Sequence, residues 1–139
     1  MRLLAALSLL LGLAGCDTHA VGDDELETLV VTMTSEGVLV ETLDDYPCSN
    51  FVLDLDADVR DDALRIRVRG IESTEICATM LGPASGFVET PVAYGSRVEL
   101  EKGGAVDRYD YVCGFIGCEL RPVGRTTFSV PGPREFVLE

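Results

Sequence analysis

Tryptophan is absent from this 139-residue sequence, aromatic residues make up only 6% of it, and His19, near the N-terminus, is its single histidine. A serine or cysteine nucleophile needs a base, usually an imidazole, and one histidine in an N-terminal stretch is badly placed to serve. Without tryptophan and with few other aromatics, a sugar-stacking platform is poorly supplied. No Cys-x-x-Cys pair occurs; the nearest cysteines, Cys113 and Cys118, have four residues between them, so zinc-type spacing is missing. No Gly-rich phosphate loop follows a strand pattern and opens a helix pattern. Lysine is almost missing too: Lys102 is the only one, and 11 basic side chains face 24 acidic ones. Such a balance argues against nucleic acid or an anionic membrane surface as a binding partner. Carboxylate pairs of the glycosidase kind are available, but any 24 acids supply many pairs. Together these absences point to a protein that is not an enzyme and carries no cofactor.

The first stretch of positive information is the leader. Arg2 is followed by an apolar run from Leu3 to Leu13, interrupted by Ser8 and Gly12, and then by Leu13-Ala14-Gly15-Cys16. The run is too short to span a bilayer as a helix. Small residues directly before a cysteine at the end of such a run resemble the lipobox of bacterial lipoprotein precursors. The resemblance covers only the leader. It implies cleavage before Cys16, diacylglycerol on the Cys16 sulfur and usually a further acyl chain on its amine. Each buried methylene contributes about 0.8 kcal/mol, so two or three chains anchor stably where one is marginal. Asp17 resembles the signal that retains Gram-negative lipoproteins at the inner membrane, which implies the periplasmic face of that membrane. Residues 1–15 are then a signal peptide, 16–27 a lipidated cysteine with an acidic tether, and 28–139 one domain. Loss of the leader removes Arg2 and no acid, leaving ten basic and 24 acidic side chains, a formal net charge of −14. The tether reaches roughly 15–20 Å on average, so the domain stays close to the bilayer.

From Leu26 onward no helical period persists; short runs rich in Val, Ile, Thr, Tyr and Phe alternate with Gly, Pro, Asn and Asp. This pattern predicts an all-β fold, an immunoglobulin-like antiparallel β-sandwich of eight to ten short strands, although the tryptophan of antibody-type cores is missing. Residues 28–34 and 38–43 form a first hairpin about Ser35-Glu36-Gly37. Phe51, Leu53, Leu55 and Ala57 alternate with aspartates, and Leu64, Ile66 and Val68 alternate with arginines. Folding these about residues 59–62 puts Asp58 opposite Ala63, Asp56 opposite Arg65 and Asp54 opposite Arg67. A one-residue slip would set aspartate against apolar groups, so the register is specified. Gly82-Pro83-Ala84-Ser85-Gly86 reads as a turn or loop. Gly103-Gly104 is a two-residue hairpin turn; it pairs Lys102 with Ala105, Glu99 with Arg108, Val98 with Tyr109 and Arg97 with Asp110. A further fold at 114–117 sets Tyr111 against Leu120 and Asp110 between Arg97 and Arg121. Residues 125–130 and 135–138 read as closing strands.

Four cysteines remain after Cys16, and on an exported domain they imply two disulfides. Four cysteines allow three pairings; the hairpins favour Cys48–Cys77 and Cys113–Cys118. Asp54-x-Asp56-x-Asp58 begins like a calcium loop, but Val59 stands where the loop needs Gly and Arg65 where it needs Glu, so no metal is assigned. Phe115 and Ile116 lie at a hairpin tip between glycines and cysteines, where loops are usually polar. They are the candidate partner contact, or a cap folded over the core. The sequence thus predicts a lipid-anchored envelope lipoprotein, held to the membrane through Cys16, with a structural or protein-binding role toward an envelope protein. A small-ligand or calcium-binding lipoprotein and a carboxylate-dependent hydrolase are the alternatives.

Overall fold

The structure, a computed structural model, describes residues 28–48, 50–72, 80–89, 96–115 and 117–133. The described residues contain no helix and nine strands: β1 (Leu29–Met33), β2 (Val38–Tyr46), β3 (Val52–Arg60), β4 (Ala63–Glu72), β5 (Gly82–Val88), β6 (Arg97–Lys102), β7 (Ala105–Gly114), β8 (Gly117–Pro122) and β9 (Ser129–Pro131). The fold is all-β, as the periodicity predicts. The strands form one sheet in the order β8-β7-β6-β4-β3-β5-β2-β1-β9. It is mixed rather than antiparallel: β1 with β9, β3 with β5 and β4 with β6 run parallel. The two-sheet immunoglobulin-like arrangement expected from the sequence is not what this pairing describes. The sheet curls until its ends meet, β8 lying against β1 and β9, so the outline is nearly that of a barrel.

Inward positions fill the interior. Leu29, Val31, Val38, Val40, Ile66, Val98, Leu100 and Tyr109 are completely buried. Each lies in a period-2 alternation with polar or half-exposed neighbours, the signature of strands wet on one side. Among the described residues no helix is long and apolar enough to cross a membrane.

Two hairpins match the sequence reading pair for pair. Lys102 faces Ala105, Glu99 faces Arg108, Val98 faces Tyr109 and Arg97 faces Asp110. Gly103 and Gly104 both have positive φ, 55° and 82°, as a type I′ turn requires. Tyr111 faces Leu120 and Asp110 faces Arg121, with Cys113 and Cys118 opposite one another. The β1–β2 hairpin also forms where expected, Met33 facing Val38.

The β3–β4 hairpin differs from expectation by two residues. Arg60 faces Ala63 and the turn is Asp61-Asp62 alone, with φ of 51° and 62°. Asp tolerates this left-handed region better than most residues, and a type I′ turn suits the strand twist. A shift of two preserves parity, so charge still meets charge: Asp58 faces Arg65 and Asp56 faces Arg67. The shift alone would move Asp54 from Arg67 to Arg69, and a bulge after Asp54 sets it opposite Gly70 instead.

The segment 82–86, expected as a loop, is the first part of β5 and pairs antiparallel with β2. Its Pro and Gly residues have specific places. A Cβ at Gly86 would come within 2.5 Å of Leu55 Cδ1 and 3.0 Å of Leu53 O, so only glycine lets β3 approach this closely. Pro83 stands at the second position of the strand, opposite Asp45 just past a bulge in β2. Thr42 Oγ1 fills the gap left by that bulge, accepting from Ala84 N at 2.9 Å and donating to Asp44 O at 2.9 Å. The expected closing segment 125–130 is a strand only from Ser129; the one at 135–138 lies outside the described residues.

Candidate functional site

The outer surface of the sheet has two unlike halves, and register explains both. On β3, β4, β6, β7 and β8 the outward positions are almost all charged. Arg67 lies between Asp56 and Asp58, at 3.1 and 2.9 Å, with Glu101 on its other side at 3.5 Å. Glu99 accepts from Arg65 at 2.9 Å and from Arg108 at 3.2 Å. Arg97 reaches Asp110 at 3.3 Å. Arg60 Nε sits 2.7 Å from Asp58 Oδ2, close enough for an ion pair but without hydrogen-bond geometry. Arg69 bonds Asp56 and is the main cause holding that carboxyl below its usual range, while Asp58 pushes the Arg67 guanidinium up. Arg121, expected across from Asp110, turns along its own strand to Glu119 at 3.0 Å. A depression of about 360 Å³ beside the Asp61-Asp62 turn is lined by members of this ladder, including Arg65, Arg97, Glu99 and Asp110. Their mutual ion pairs occupy the charges that a ligand there would need.

Strands β5, β2, β1 and β9 present a different face. Their outward residues align in rows: Phe87, Leu39 and Thr32 in one, Ser85, Glu41, Val30 and Val130 in the next. Val52, the first residue of β3, adjoins Ser85, and Leu43 lies further along β2. Phe87 is 47% exposed and Leu43 59%. Residues 28–50 and 80–89 contain five carboxylates and no lysine or arginine.

Inside the sheet sits a polar centre that sequence reasoning missed. Asp107 on β7 is 1% exposed. Its Oδ1 accepts from Thr127 N at 2.7 Å and Thr127 Oγ1 at 2.8 Å. Its Oδ2 accepts from Phe128 N at 3.0 Å, Ser129 N at 2.9 Å and Ser129 Oγ at 2.7 Å. Burial pushes the carboxyl pKa up, and the bonds from Ser129, Phe128 and Thr127 together pull it further down, so the net shift is downward. Tyr109 Oη lies 2.6 Å from Ser129 Oγ. Since the Ser129 hydrogen goes to Asp107, the Tyr109 hydroxyl donates to Ser129, and burial raises the Tyr109 pKa. The chain Tyr109–Ser129–Asp107 has hydroxyl and carboxylate in contact, but Ser129 is only 2% exposed and no substrate reaches it. The signal for Asp107 was present: the register that sets Val98 against Tyr109 also sets Leu100 against Asp107, an acid on the apolar face.

Of the residues singled out from sequence, Phe115 is fully exposed at the β7–β8 tip, and Ile116 lies outside the described residues. Cys113–Cys118 is a disulfide across the hairpin, with Cα atoms 4.0 Å apart. Cys48 is disulfide-bonded; Cys77, and with it the Cys48–Cys77 pairing, lies outside the described residues, as does Cys16. Of the three aspartates in the calcium-like run, Asp56 and Asp58 face arginines, and among the described residues no three potential ligands gather around one point. No protein-family model matches this chain, and neither a curated protein nor a solved structure does.

Proposed function

We propose that the protein is a lipid-anchored lipoprotein of the bacterial cell envelope that works by binding another envelope component rather than by catalysis. The lipobox-like Leu13-Ala14-Gly15-Cys16 supports the anchor, and Asp17 favours the periplasmic face of the inner membrane in a Gram-negative cell. The observation that carries the binding reading is Phe115, fully exposed on a hairpin closed by Cys113–Cys118. A core cap would bury that ring; a contact residue displays it, with the disulfide removing loop entropy in advance. The compact β scaffold plays the part that an immunoglobulin-like sandwich plays elsewhere, holding contact residues on a rigid frame.

Strand directions add an orientation. Followed across the sheet, β1, β5, β3 and β7 run the same way. The β7–β8 tip therefore lies at the end opposite the start of β1, where the tether arrives. That arrangement supports a reading in which the tether and the contact tip serve opposite ends of the sheet.

Membrane fractionation of Cys16→Ser tests the anchor, with an unprocessed or soluble species expected; unchanged processing and membrane association overturn it. Phe115→Ser tests the contact: stability should move by less than about 0.5 kcal/mol while crosslinked partners disappear. A large fall in thermal stability would instead assign Phe115 to the packing of the domain.

A further inference from the structure

The four-stranded face β5-β2-β1-β9 has outward positions that a solvated sheet normally fills with polar groups. Here they hold Phe87, Leu39, Val30 and Val130, bordered by Val52 and Leu43. Apolar side chains contiguous on a rigid sheet mark an interaction surface, whereas scattered ones do not. The charges carried by these four strands are of one sign. Glu41 stands in the middle of the face, Asp44 and Asp45 at its end, and no ion pair joins these carboxylates to a cation among the described residues. The ion pairs described above all belong to the other half of the sheet, whose arginines are already engaged by carboxylates of their own ladder.

We propose that the outer face of β5-β2-β1-β9 is a protein-docking surface whose partner presents apolar groups together with lysine or arginine side chains. Interfaces combine apolar contacts with complementary charges, and the charges select partners. The same charges exclude the other occupants. A second copy docking face to face about a twofold axis would bring the carboxylates of one copy against those of the other. An anionic bilayer would meet the same repulsion. The proposal rests on the reading that this protein acts by binding, and it requires neither Phe115 nor the lipid on Cys16.

The test places a photo-crosslinking benzophenone side chain at Phe87, Val130, Phe115 or, on the ladder face, Arg108 in the full-length chain, irradiates intact cells, and maps the products by mass spectrometry. Expected are adducts from positions 87 and 130 to the same protein, none from 108, and loss of the adducts in Glu41→Lys with Asp45→Lys while the melting temperature is retained. Adduct yield should also fall as salt is added to isolated envelopes. An adduct that survives the charge reversal overturns the proposal, as does a product of twice the chain mass or an internal link to residues 134–139. Flotation of the purified protein lacking its lipid with phosphatidylglycerol vesicles, lost in Phe87→Ser, would assign the face to a bilayer and overturn it too. Adducts from 115 without any from 87 or 130 reject this surface and leave the binding role standing; adducts from none of the positions reject both.

Discussion

Asp107 holds five hydrogen bonds inside a sheet whose interior is mostly apolar, and every donor comes from residues 127–129. A buried charge is tolerable only when its acceptors are this completely supplied. Asp107→Asn keeps the shape but turns one oxygen into an NH₂ that confronts N–H and O–H donors. We expect a loss of about 2–4 kcal/mol in chemical denaturation, with Thr127→Ala costing less because the backbone donors remain. The pH dependence has a definite sign. The folded-state pKa lies below the ordinary carboxylate value of 3.8, so the contribution of Asp107 is fully present above roughly pH 4. It is lost as pH falls below that value and through the folded-state pKa. Wild-type stability should therefore decline on acidification with a component missing from Asp107→Asn; identical acid profiles in the two proteins would contradict the role given to this carboxylate.

Hairpins were the part of the fold most open to reading from sequence, because partner strands adjoin in the chain and their charges must match across a short turn. Gly103-Gly104 fixed one register outright, since both turn residues adopt positive φ at no cost. Asp61-Asp62 adopts the same kind of turn without glycine, and alternation alone cannot distinguish two registers that differ by two residues. Replacing Asp62 by Gly should relieve the left-handed backbone and remove one of two adjacent like charges, raising stability by about 0.5–1 kcal/mol; a lower melting temperature would mean that the Asp62 side chain itself supports the turn. The strand β5 was hidden by its own composition, Gly-Pro-Ala-Ser-Gly, whose glycine at 86 answers to Leu55 on a different strand rather than to a turn. With β5 went the apolar face that includes Phe87. Non-reducing peptide mapping tests the covalent frame at this scale: a Cys113–Cys118 peptide is expected beside one joining Cys48 to Cys77. The second bridge would close a loop of about 30 residues and contribute roughly 3–4 kcal/mol on the chain-entropy estimate; linkage of Cys48 to Cys113 or Cys118 would break both hairpin assignments.

At the scale of the whole molecule the sequence was least informative, since the three parallel pairings join strands that no single turn connects. Nothing in Leu29–Met33 names Ser129–Pro131 as its neighbour; only the fold brings them together. The sheet closes there by side chains as much as by backbone, through Asp107 to residues 127–129 and Tyr109 to Ser129. Hydrogen exchange should show this seam as one cooperative unit. In Asp107→Asn the amides of Leu29, bonded to Phe128 O, and of Ser129 should lose protection before those of the β3–β4 hairpin; uniform loss across the sheet would instead make closure and core inseparable. The pairing of the first described strand with the last has a further consequence for a chain made N-terminus first. As the chain leaves the ribosome, β1 emerges with one flank vacant, and the strand that will fill it is made after every other described strand. The sheet cannot lock shut until residues 127–131 arrive, so its closure is a late event, reached only after the other described strands have been made.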